Sequence, residues 1–198
     1  MADAARPRTP ALTFPAELLL AARGDGEGIA VAIFDVDGVL TDGTLYLGDA
    51  GETFKAFSTL DGQGMKLLQQ AGIVPLVVTG RDSPAVRRRM ADLGVVHAAY
   101  GAADKMAAAV ALLDSLGVAW DRVAAIGDDW PDLPILQRAA FSCAPPQAHV
   151  EVRAAVHHVT AAAAGQGAAR EFCDLLLVAA GRYAGLLRAP LFALDGGR

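Results

Sequence analysis

Val31-Ala32-Ile33-Phe34-Asp35-Val36-Asp37-Gly38 decides how the chain is read: four apolar residues run straight into two carboxylates and a glycine. A short run that is apolar at every position predicts a strand covered on both faces, as in a parallel sheet. Asp35 and Asp37, two apart in extended chain, point to the same side of it. Similar apolar runs recur at 73–78, 95–100, 123–126 and 140–144. Between them 64–71, 83–93, 104–116 and 131–140 read as helices. Ser83-Pro84 is a helix start, with proline at the first helical position, and Gly94 is a stop. Strand-helix alternation of this kind predicts an α/β fold, a Rossmann-like parallel sheet with helices on both faces. A final helix is expected over 168–187 and a short one over 14–23. Residues 1–22 read as an extension, and 23–198 as one domain with no internal repeat or linker.

The composition narrows the function classes. The chain has 198 residues and a net charge of −5, the wrong sign for a nucleic-acid surface. The basic run Arg87-Arg88-Arg89 lies in a predicted helix, where successive side chains point about 100° apart and form no common patch. No apolar run approaches the roughly 18 residues of a membrane span. The first ten residues lack the apolar stretch of a secretory signal. Cys143 and Cys173 stand in apolar surroundings with no ligand spacing, and read as buried thiols of a reducing cytoplasm. His97, His149, His157 and His158 do not converge at metal spacing.

One segment breaks the rhythm. Residues 44–47 and 52–57 flank the turn-rich Gly48-Asp49-Ala50-Gly51 and read as a β-hairpin. It follows the first strand directly, where open α/β sheets place their binding crevice. The same rim collects a polar group from each strand exit. These are Asp35 and Asp37 after the first strand, Thr79-Gly80-Arg81 after the second, Lys105 at the start of the helix after the third, and Gly127-Asp128-Asp129 after the fourth. Converging carboxylates must be neutralised or their pKa values rise. Mg²⁺ suits such a set, because it prefers hard oxygen ligands. Such a site fits phosphoryl transfer, with a carboxylate as nucleophile and the second Asp as acid and base. The Thr79 hydroxyl and nearby backbone amides would hold phosphoryl oxygens. Receiver domains use similar residues, but with the acidic pair at the first strand and the phospho-accepting Asp at the third. That order is not the one found here.

Asp35-Val-Asp37-Gly-Val-Leu-Thr-Asp-Gly43, Thr79-Gly-Arg81, Lys105 and Gly127-Asp-Asp129 together resemble the haloacid dehalogenase superfamily. The hairpin, Asp61-Gly-Gln-Gly64 and Gly165-Gln-Gly-Ala-Ala-Arg-Glu171 extend the resemblance toward its capless branch of 3-deoxy-D-manno-octulosonate 8-phosphate (KDO 8-phosphate) phosphatases. That resemblance implies Asp35 as nucleophile, Asp37 as acid/base, and Mg²⁺ held by Asp35, the main-chain carbonyl of Asp37 and Asp128. It implies sugar contacts from Ser58, Thr59, Leu60, Asp61, Gly62, Lys66, Arg81 and Arg89, with Lys105 also meeting the substrate. It further implies a homotetramer in which the hairpins, through Leu45, Tyr46 and Leu47, form the assembly element. A neighbour's C-terminal segment would then complete each site. The expected substrate is a phosphorylated acidic sugar of lipopolysaccharide precursor synthesis. Lys66 stands where an arginine is usual, and Gln166 departs from a Gly-Gly-Arg-Gly pattern. Lysine keeps the charge but not the fork, so looser sugar-end contacts are implied. Two alternatives remain open: a nonulosonate 9-phosphate phosphatase, and a non-catalytic assembly subunit.

Overall fold

A computed structural model describes residues 10–195 other than 25 and 50. In chain order the elements are α1 (Ala16–Ala22), β1 (Val31–Phe34), β2 (Tyr46–Gly48), β3 (Gly51–Phe54), α2 (Thr59–Gln70), β4 (Val74–Val78), α3 (Pro84–Leu93), β5 (His97–Ala99), α4 (Lys105–Leu116), β6 (Val123–Ile126), α5 (Leu133–Arg138), β7 (Phe141–Ala144), α6 (Val150–Ala155), β8 (His158–Val159), α7 (Ala168–Ala179) and α8 (Tyr183–Asp195). Six strands form one sheet in the order β5-β4-β1-β6-β7-β8, all parallel. β2 and β3 form a separate antiparallel hairpin.

Alternation along β1 divides the core. Ala32 and Phe34 point to one face of the sheet, with residues of α2, α3 and α7. Val31 and Ile33 point to the other, with residues of α4, α5 and α6. Every residue of β1 and β6 is buried, which is why their runs are apolar throughout. Phe34 meets Phe172 of α7 edge-to-face, with ring centroids 5.4 Å apart. Burying such a side chain is worth about 2 kcal/mol.

The expected strands and most helices are present, with four differences. α2 begins at Thr59, five residues before the expected 64. Gly62 and Gly64 hid its first turns, since glycine is a poor helix former. Both serve close approach: a Cβ on Gly64 would lie 3.0 Å from the Cys173 Cβ, and one on Gly62 would lie 2.2 Å from the Arg89 guanidinium. The single helix expected over 168–187 is two. Gly181 adopts φ +68, and the Gly181 and Arg182 N–H groups donate to the carbonyls of Val178 and Leu177, a Schellman termination of α7. The short elements α6 and β8 were not foreseen. Finally, the extension expected over residues 1–22 is packed in its later part. α1 lies on α7, with Ala22 buried and Phe14 and Leu18 against the core. Residues 1–9 lie outside the described residues. Among the described residues no helix is long and apolar enough to cross a membrane. Cys143 and Cys173 are buried free thiols.

Candidate active site

The strand register brings the rim residues together. Phe34 of β1 pairs with Val77 of β4 and with Ile126 of β6. Asp35 is therefore level with Val78 and Gly127, while Thr79 and Asp128 each stand one residue beyond. The Asp35 N–H donates to the Ile126 carbonyl (3.1 Å), continuing the ladder into the site. Thr79 is buried, and its main chain is fixed by the Ala99 carbonyl and the Ala102 N–H, each at 3.0 Å.

Lys105 opens α4 behind the N-cap Asp104, whose carboxylate accepts the Ala107 N–H (2.9 Å). Its ammonium lies 2.8 Å from both the Asp35 and Asp132 carboxylates. Asp132 belongs to this cluster, and the sequence reading missed it. Its second oxygen accepts the N–H groups of Asp128 (3.1 Å) and Asp129 (3.3 Å), so one carboxylate orients Lys105 and fixes the Asp128 loop. The signal was present: Asp129 and Asp132 form a capping box of acids three apart. Gly127 leaves room for it, since a Cβ there would lie 2.6 Å from the Asp132 Cβ.

Asp35, Asp128 and Asp132 can each place an oxygen within 4.8 Å of the others. Burial, and then the charge of Asp132, push Asp35 well above the usual carboxylate range, although Lys105 pulls it back. Burial and Asp132 also push Asp128 up to about 6. Burial alone would lower the Lys105 pKa, but the two carboxylates hold it raised. Fully ionised, three carboxylates and one ammonium leave two negative charges, which is the charge the raised pKa values resist. A hard divalent cation is the group this oxygen set fits. Gly38 adds a cradle: it adopts φ +87, and a Cβ there would lie 2.1 Å from the Asp128 Oδ2.

Asp37 sits apart from this trio. One of its oxygens is ion-paired to Lys55, and the other lies 3.9 Å from Arg81 Nε. Lys55 is the second residue missed, because a hairpin lysine ordinarily reads as solvated. Arg89 turns inward as expected, donating to the Ser58 carbonyl at 3.1 Å. Arg87 pairs with Asp82 over the Tyr100 ring, and Arg88 pairs with Asp92.

The expected sugar-contact residues do not all face one space. Ser58 caps α2, its hydroxyl accepting the Leu60 N–H (3.1 Å), with Thr59 and Leu60 exposed at that tip. Lys66 is exposed about two turns further along the helix. Gly62 is buried under Arg89. Asp61 departs most from expectation. It is buried, and its carboxylate accepts the N–H groups of Arg170 (2.7 Å) and Gly167 (3.3 Å), so both oxygens are spent on the N-terminus of α7. That is a cap across 106 residues of sequence. Asp61→Ala is expected to lower unfolding stability by about 1–2 kcal/mol, as loss of a helix cap does. The urea midpoint is the measurement. An unchanged midpoint with weakened substrate binding would return Asp61 to the sugar.

Residues 100–172 match the haloacid dehalogenase-like hydrolase family. The chain is 42% identical over 156 residues to the 3-deoxy-D-manno-octulosonate 8-phosphate phosphatase of Salmonella typhi, covering 79% of this chain and 83% of that protein. With the Haemophilus influenzae phosphatase of the same name it shares 44% identity over 156 residues, 79% of this chain and 87% of the other. The phosphatase of that name from Moraxella catarrhalis, solved with magnesium ion, phosphate ion and a KDO molecule, superimposes with a TM-score of 0.82 at 37% identity. The match covers 87% of this chain and 97% of that one.

Proposed function

The chain belongs to the 3-deoxy-D-manno-octulosonate 8-phosphate phosphatases among the haloacid dehalogenase-like hydrolases, and from that membership we propose that it hydrolyses KDO 8-phosphate to KDO and inorganic phosphate through a phospho-Asp35 intermediate. The observation that carries this reading is Lys105 held between Asp35 and Asp132 beside Asp128, with the Asp37 carboxylate two residues from the nucleophile. Among the described residues it is a complete set for phosphoryl transfer, which speaks for an enzyme over an assembly subunit.

Each residue has a task. Asp35, Asp128 and the Asp37 main-chain carbonyl, with Asp132 in the same cluster, would hold Mg²⁺, which would supply positive charge for the transferring phosphoryl group. The Asp35 oxygen attacks phosphorus, and the bond from phosphorus to the sugar oxygen breaks. Asp37 gives its proton to that departing oxygen. The Asp37 carboxylate then takes a proton from water as the water oxygen attacks phosphorus, and Asp35 leaves as a free carboxylate. Lys105 neutralises Asp35 before attack and phosphoryl charge after it. The Thr79 hydroxyl, buried at the next strand exit, supports the phosphoryl oxygens.

The half-exposed Arg81 and the Arg89–Ser58 pair at the tip of α2 suit a substrate carboxylate. A homotetramer is supported by the hairpin, where Leu47 and Phe54 are more than half exposed and Tyr46 stacks on Phe54 at 4.4 Å. Short as it is, the hairpin gives this site little cover of its own, and a neighbour would supply the rest. The reaction is placed in the cytoplasm, in lipopolysaccharide precursor synthesis.

Phosphate release with Mg²⁺ tests the reading, from KDO 8-phosphate beside a nonulosonate 9-phosphate and ordinary sugar phosphates. A strong preference for KDO 8-phosphate is expected. Preference for the nonulosonate ester would keep the chemistry and overturn the substrate. No turnover of any ester by the folded protein would overturn the enzyme.

A further inference from the structure

A lysine buried beside the proposed acid/base calls for a reason. The Lys55 side chain is 1% exposed and stands between two carboxylates, Asp37 Oδ1 and Glu52 Oε2, the latter at 3.1 Å. Burying an ammonium is costly unless its partners are well placed. A solvated hairpin lysine would escape that cost, so the chain holds Lys55 inward at some expense.

Ser83 carries the same message independently. It occupies the N-cap position of α3 and has β-region dihedrals, yet its hydroxyl makes no capping bond. It donates instead to Glu52 Oε1. A serine cap is ordinarily worth about 1 kcal/mol to its helix, and here the hydroxyl is used on the hairpin.

We propose that Ser83, Glu52 and Lys55 form a positioning relay that fixes Asp37 for proton transfer. Ser83 holds Glu52, Glu52 holds the Lys55 ammonium, and the ammonium holds Asp37 Oδ1. Arg81 Nε lies 3.9 Å from Asp37 Oδ2, beyond hydrogen-bond distance. Oδ2 is therefore the oxygen left to give a proton to the departing alkoxide and to take one from water. In the relay the hairpin is a part of the catalytic apparatus, reaching the site 18 residues from Asp37 in sequence. The proposal rests on the acid/base reading of Asp37 and deepens it.

Leaving-group dependence separates positioning from mere support. An alkyl leaving group needs a proton as it departs, and 4-nitrophenolate does not. Both Asp37→Asn and Lys55→Met are expected to lower kcat/KM, which reads the leaving-group step and not the later attack of water, on KDO 8-phosphate by about 10²–10³-fold, the ordinary worth of a general acid, and on 4-nitrophenyl phosphate by less than about tenfold. Lys55→Arg, which keeps the charge, should recover most of the loss on the sugar ester. Glu52→Gln and Ser83→Ala should move the ratio of the two activities the same way by smaller factors. A folded Lys55→Met protein that loses both activities equally, beside an Asp37→Asn protein that keeps the split, would overturn the relay and leave Lys55 a prop for the hairpin. If Asp37→Asn itself shows no split, the acid/base reading falls and takes the relay with it. Should Lys55→Met fail to fold, Glu52→Gln decides: an unchanged ratio overturns the relay.

Discussion

Asp35→Asn is expected to abolish turnover, by at least about 10⁴-fold, the scale on which enzymes lose activity with their nucleophile, while leaving the protein folded. The two halves of that result come from the same geometry. An amide oxygen cannot form the phospho-enzyme, and Lys105 and Asp132 cannot stand in for it, because they are spent on each other. The fold survives because Asp35 is an electrostatic burden to it. Burial and Asp132 raise its pKa well above the usual value, so its proton is held more tightly in the folded chain than in the unfolded one. Stability from such a group is present at low pH and is lost as pH rises. At neutral pH the buried aspartate therefore costs stability, and a neutral amide removes that cost while Asp132 keeps the Lys105 ammonium paired. Without metal, the melting temperature at pH 7.5 should equal or exceed that of the parent. Steady phosphate release from a folded Asp35→Asn protein would remove Asp35 from the nucleophile role.

The divide between what the sequence disclosed and what it hid runs along contact range. β1, β4 and β6 were legible because burial on both faces makes every residue apolar, and the polar residues that end those runs mark the rim. The N-cap position of Ser83 and the Gly94 stop were legible because they are local rules, and Gly94 takes φ +71 as such a stop requires. Asp132 and Lys55 were missed, and the buried bonds of Asp61 were not foreseen, because each is defined by a partner far along the chain. Lys105 meets Asp132 across 27 residues, Lys55 meets Asp37 across 18, and Asp61 meets Gly167 across 106. An acid inside a helical pattern, a lysine on a hairpin and an aspartate in a loop-like Asp-Gly-Gln-Gly stretch each have an ordinary solvated reading. Only packing reverses it. Gly62 and Gly64 show the same effect at the level of secondary structure. Their glycines speak for a loop, yet they stand inside α2 because Arg89 and Cys173 press against it. Arg89 was the exception, an inward residue legible only through the family resemblance.

Withdrawal of Mg²⁺ with EDTA is expected to lower turnover by about 10³-fold or more, since several kcal/mol of charge stabilisation leave with the ion. The sharper result is how the ion's grip depends on pH. Asp128 is pushed up to about 6 by burial and the Asp132 charge. Below that value a proton occupies the site, and a cation must displace it to bind. Affinity should therefore fall by at least about tenfold for each unit below pH 6, with the raised Asp35 adding a second proton for the ion to displace. The metal-free protein should respond in the opposite sense. A carboxylate with a raised folded-state pKa contributes stability below its ordinary value and loses it as pH rises through about 6. Heating the protein at pH 5.5, 6.5 and 7.5, with and without Mg²⁺, reads both effects in one series. The shift produced by the ion should widen with pH, because the ion binds better as the protons it must displace are lost. Asp128→Asn should flatten the series by removing both the displaced proton and a ligand. A shift that stays constant across the series in the parent would mean that no carboxylate proton is displaced, and that the ion does not sit among Asp35, Asp128 and Asp132.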